Sequence, residues 1–192
     1  MTASPTPPNQ IICFGWMGLK AAVHALQVGI ATANFTVVVE EEGDLLSHFP
    51  AGTTMPHIIK YKVGTGSHEE NWLTNLEAMQ ALLASQKQDK FILIADLDSQ
   101  ECTYALIKFL GGLAPAMLED AFLIVITPFL EDSLNWKRAL PYLSNLKAIP
   151  VRKGIVHLPE LIRSHRLEQL TVSQCEKYFC AYIKNMIEEE LA

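Results

Sequence analysis

Two runs of the chain, FILIA at residues 91–95 and FLIVI at 122–126, are apolar at every position. Successive strand side chains point to opposite faces, so such a run needs apolar cover on both sides. Each run ends abruptly, the first in Asp96-Leu97-Asp98-Ser99 and the second at Thr127-Pro128. Further strands are read at Gln10–Phe14, Phe35–Val39, Ile58–Val63 and Ala148–Val151. Helices are read at Leu19–Val28, Glu69–Lys87, Ser99–Leu110, Leu134–Leu146 and Val172–Glu190. In the second of these, Trp72, Leu73, Leu76, Met79 and Leu83 recur at the helical period. Pro141 should kink or split the fourth. The last has Thr171 as N-cap and an apolar stripe of Val172, Cys175, Phe179, Ile183 and Met186. Doubly apolar strands alternating with amphipathic helices predict a three-layer, Rossmann-like α/β domain with a mostly parallel sheet. It should occupy residues 10–192 as one domain, behind a disordered tail at 1–9 that carries three prolines.

A formal charge of −6 argues against nucleic acid as a partner. No apolar run approaches the length of a membrane span, and the N-terminus lacks the basic and apolar regions of a secretory signal. Cys13, Cys102, Cys175 and Cys180 form no CxxC pair. A reduced, cytoplasmic protein without a disulfide framework is expected. The six histidines show no metal-ligand spacing and are read as structural or surface groups.

In open parallel sheets, ligands sit outside the carboxyl ends of the strands. The candidate segments are therefore Gly15 to Gly18, Glu40 to Glu42, Gly64 to Gly66, Asp96 to Ser99 and Pro128 to Asp132. Asp96 and Asp98 form an acidic pair of the kind that can hold Mg²⁺, or act with one as nucleophile in phosphoryl transfer. The competing reading is that Asp98 or Ser99 caps the following helix. Glu40 is placed to hold a ribose hydroxyl, but Gly15-x-x-Gly18 is not the GxGxxG of dinucleotide-binding folds.

The order of these pieces resembles the GTPase domain of the tubulin/FtsZ family. IICFGWMGLKAAVHAL is similar to its first strand, glycine loop and first helix. QVGIATANFTVVVEEEGDLL is similar to its second strand and the helix start beyond it. KFILIADLDSQECTYALI falls where the family carries its strand and GGGTGTG phosphate loop. FLIVITPF and Ala148-Ile149-Pro150 resemble its next Pro-Phe and Ile-Pro strand ends, and the last helix resembles its central helix. The resemblance runs from about Gln10 to Met186. It implies a nucleotide pocket drawn from Gly15, Trp16, Met17, Gly18, Glu40, Asp96, Asp98, Ser99, Thr103, Glu131 and Val151, with Glu131 near the ribose and Val151 where the family places an asparagine.

The departures lie in the chemistry. Backbone N–H groups curl around phosphates only where no side chain or negative charge intervenes. The phosphate-loop segment here has no glycine and carries Asp96, Asp98 and Glu101. At an effective dielectric near 20, each like-charge pair about 4 Å apart costs about 4 kcal/mol. Trp16 and Met17 replace glycines in the first loop, and Trp16 could fill the nucleotide's space. The family's second domain is not read in the chain. These departures imply a degenerate, single-domain relative that does not hydrolyse GTP, is not expected to carry GTP or GDP, and acts as a binding or regulatory protein. Its partner would be another protein or a second copy, engaged through the 172–190 helix, not a membrane or nucleic acid. A metal-assisted enzyme using Asp96 and Asp98, and an unrelated Rossmann-like small-molecule binder, are the alternatives.

Overall fold

A computed structural model describes residues 9–28, 30, 33–41, 49–85, 91–129 and 133–192. The tail expected before residue 9, Glu42, and Leu130 to Asp132 with Glu131 lie outside the described residues. Six strands form one parallel sheet: β1 (Asn9–Phe14), β2 (Ala33–Glu40), β3 (His57–Tyr61), β4 (Phe91–Asp96), β5 (Ala121–Ile126) and β6 (Arg152–Val156). Their spatial order is β3-β2-β1-β4-β5-β6. This is the doubly wound order, in which the chain reverses direction across the sheet between β1 and β4. The register sets Phe14 beside Val38 and Ala95, so the carboxyl ends of the central strands are level.

Eight helices among the described residues cover the two faces: α1 (Trp16–Gln27), α2 (His68–Thr74), α3 (Leu76–Ala84), α4 (Gln100–Gly112), α5 (Pro115–Asp120), α6 (Leu134–Ala148), α7 (Leu158–Ser164) and α8 (Val172–Leu191). One core layer joins Ile11, Cys13, Val37, Ile92, Ile94 and Ile124 to α1, α7 and α8. The other joins Ile12, Phe14, Val38, Leu93, Ala95 and Leu123 to α2, α3, α4 and α6. Alternate residues of β4 feed opposite layers, and all six are buried. This is the double cover that FILIA requires.

The structure corrects several readings of the sequence. The helix expected at 69–87 breaks at Asn75, whose side chain accepts from Lys62 N and donates to Lys62 O, both at 2.8 Å. Asn71 Oδ1 likewise accepts from Gly64 N at 2.8 Å. These amides pair the backbone that continues β3, and the break places Leu73 in solvent rather than in the core. The last strand is Arg152–Val156, not Ala148–Val151, because α6 runs on to Ala148. Pro141 does not split α6. Pro141 and Lys137 are both exposed, so the carbonyl the proline leaves unbonded can be hydrated. In α8 the buried stripe is Cys175, Phe179, Cys180, Ile183 and Ile187, while Val172 is exposed. That stripe packs within the first core layer, and Lys20 of α1 pairs with Glu176 of α8 at 2.6 Å. The stripe of the helix expected to engage a partner is therefore covered within the chain, Val172 excepted. No helix among the described residues is long and apolar enough to cross a membrane.

Candidate phosphate-type site at the end of the sheet

The helix after β1 starts at Trp16, three residues before its expected start, with Gly15 at its N-cap. Gly15 has no side chain to cap with, and its φ of 99° is one that only glycine adopts freely. The missing cap comes from far along the chain. Asp96 Oδ2 accepts from Met17 N at 2.8 Å, across 79 residues of sequence. The fit is close: a Cβ on Gly15 would lie 2.6 Å from Asp96 Cβ. The other carboxylate oxygen, Oδ1, accepts from Asp98 N at 3.1 Å and closes an Asx turn.

The rest of the turn is equally self-satisfied. Asp96 O accepts from Ser99 N at 3.2 Å and from the Thr103 hydroxyl at 3.0 Å. Ser99, not Asp98, caps α4: its hydroxyl oxygen accepts from Cys102 N at 3.3 Å and its proton goes to Glu40 Oε1 at 2.6 Å. Asp98 Oδ1 accepts from the Asn135 amide at 2.9 Å. Asp96 is 2% exposed. Burial pushes its carboxyl up to about 6; the two amide hydrogen bonds oppose this, and the charges of Asp98 and Glu40 add to it. At neutral pH it is mostly ionised, so the amino end of α1 faces an anion supplied by the chain itself.

The structure thus brings together Gly15, Met17, Glu40, Asp96, Asp98, Ser99 and Thr103 from the ends of β1, β2 and β4. Trp16 is half-buried, with its ring 5.9 Å from that of Phe49 and the Lys20 ammonium 5.3 Å from its centroid. Gly18 serves packing: a Cβ there would meet Cys13 Cβ at 2.8 Å. Val151 is not part of the group, because it precedes β6 and lies toward the amino end of the sheet, in the core. Asn135 has no signal in the sequence; it sits in the second position of α6 and no spacing links it to Asp98.

No protein-family model matches the chain, and no curated protein sequence does. Solved structures do match in fold. The empty FtsZ dimer of M. jannaschii superimposes with a TM-score of 0.69 at 16% identity, over 95% of this chain and 54% of that one. CetZ2 of Haloferax volcanii, in a GTPγS-bound protofilament, gives 0.69 at 13% identity, over 94% and 57%. TubZ of Clostridium botulinum phage c-st gives 0.64 at 12% identity, over 92% and 57%. The chain spans somewhat more than half the length of each of these proteins. In fold, the resemblance read from the sequence holds: this is a six-stranded parallel α/β domain of the FtsZ/tubulin GTPase-domain type.

Proposed function

We propose that this chain is a cytoplasmic, FtsZ/tubulin-like domain that neither binds GTP productively nor hydrolyses it, and that acts by association with a protein partner or with copies of itself. The observation that carries the reading is the Asp96 carboxylate on Met17 N. In a fold of this type a helix amino terminus at the sheet's carboxyl end is the natural seat for a phosphate. Here a buried carboxylate takes that hydrogen bond, and Glu40 and Asp98 stand beside it. A triphosphate would have to displace the carboxylate and approach all three acids, at about 4 kcal/mol for each close like-charge pair. Association is supported by the solved neighbours, which include an FtsZ dimer and a CetZ2 protofilament. The covered stripe of α8 leaves the partner surface open to assignment elsewhere.

The test pairs a phosphate-release assay with light scattering on the full chain, with and without GTP and Mg²⁺. The expected result is no release above the protein-free control and a particle size independent of GTP. Turnover of GTP, or polymers that form only with it, would overturn the reading. The metal-assisted alternative is not favoured by the geometry, since both Asp96 oxygens are engaged by backbone amides and Asp98 Oδ1 by Asn135.

A further inference from the structure

A second polar cluster lies in the layer of α2, α4 and α6, where these three helices meet. His68 follows β3, Glu101 follows β4 and Tyr142 belongs to the helix after β5. Glu101 Oε1 lies 2.5 Å from His68 Nδ1, and His68 Nε2 lies 3.1 Å from the Tyr142 hydroxyl. With the proton on Nδ1, both contacts are hydrogen bonds: the imidazole donates to the carboxylate and accepts from the phenol. The sequence of groups is acid, imidazole, hydroxyl, the arrangement in which a base oriented by a carboxylate removes a proton from a nucleophile.

The imidazole is held in place. His68 opens α2 behind a complete Ser67–Glu70 capping box, and its ring stacks on Tyr104 at 5.4 Å with 26° between planes. The Glu101 side chain is 13% exposed while that of His68 is 41% exposed, so the orienting charge is sheltered and the base remains accessible. Among the described residues, the buried side-chain polar atoms without a hydrogen-bond partner are Tyr61 Oη, Asn71 Nδ2 and Glu101 Oε2. All three belong to this region. Asn71 is one turn along α2 from His68, and the Tyr61 phenol feels the Glu101 charge. Among the described residues, the buried side-chain polar atoms that folding leaves unpaired are these three.

We propose that Tyr142 is a nucleophile and a site of covalent acylation by activated carboxylic esters, with His68 as its general base and Glu101 as the group that orients His68. Tyr142 Oη bonds to the ester carbonyl carbon, its proton passes to His68 Nε2, the bond from that carbon to the leaving oxygen breaks, and the leaving group takes up the proton. No oxidant or further reactant is needed. Burial holds the Tyr142 phenol above its ordinary pKa, with Glu101 and Tyr104 adding to the effect. The resting phenol therefore stays protonated, and its reactivity depends on His68 rather than on free phenolate.

The experiment is acetylation of the full chain by p-nitrophenyl acetate at neutral pH, followed by peptide mass spectrometry. The chain has five tyrosines, and Tyr182, at 37% exposure, is the accessibility control. Tyr142 is expected to label ahead of Tyr182, and His68→Gln to slow labelling of Tyr142 by about a hundredfold while leaving Tyr182 unchanged. Labelling of Tyr182 ahead of Tyr142 in the native chain overturns the proposal and needs no variant to fold. So does undiminished labelling of Tyr142 in His68→Gln. Glu101→Gln should slow the reaction less than His68→Gln, because it removes the orienting charge and leaves the base.

Discussion

Replacing Gly15 by alanine is expected to destabilise the fold by about 3 kcal/mol or more, read as a shift in urea midpoint at constant slope. Two effects add. The backbone at Gly15 sits at φ 99°, a conformation that costs an L-residue about 1–3 kcal/mol. The new methyl would lie 2.6 Å from Asp96 Cβ and 3.0 Å from its Oδ2. Asp96 cannot move away without releasing Met17 N. The two residues should therefore be coupled: in Asp96→Gly the clash disappears, and Gly15→Ala should cost less than in the native chain. Equal costs in both backgrounds would show that the contact between them does not decide stability.

The second large effect is on the pH dependence of stability. Asp96 ionises at about 6 in the fold. In the unfolded chain an aspartate ionises near about 3.9. Because the folded value is the higher one, the native state holds the proton more tightly between about pH 4 and pH 6. Stability from this group is therefore greatest at the acidic end and is lost as pH rises through 6, by about 3 kcal/mol in all. Asp96→Asn removes the ionisation but keeps an oxygen for Met17 N. The stability difference, native minus Asp96→Asn, should thus fall by about 2 kcal/mol from pH 4 to pH 7. A difference that stays flat across that window would mean the carboxylate is not buried as described.

The layers of this fold are legible because burial leaves a plain mark on sequence. FILIA and FLIVI declare strands covered on both faces, and the apolar stripes of α3 and α8 declare their inward sides. Legibility fails where long-range contacts override local signals. Gly15 gives no sign of capping a helix, because its cap is supplied by Asp96. Asn75 interrupts an otherwise continuous helical pattern for the sake of Lys62. RKGIV hides an edge strand behind two cations and a glycine, which suit a strand paired on one side only. The segment Asp96 to Ser99 is legible as a turn at the phosphate position, and Ser99 as one of two candidate caps. That Asp96 turns inward onto another helix is not readable from spacing. Nor is the His68–Glu101–Tyr142 cluster, whose three members come from three separate connections.

The central claim is that the chain's own carboxylate occupies the anion seat of a nucleotide-binding fold. Calorimetric titration of the full chain with GTP and Mg²⁺ at neutral pH tests it most directly. The expected result is no saturable binding tighter than about 1 mM. Saturable binding near about 1 μM would contradict the account, because it would require an open phosphate site where Asp96 now sits.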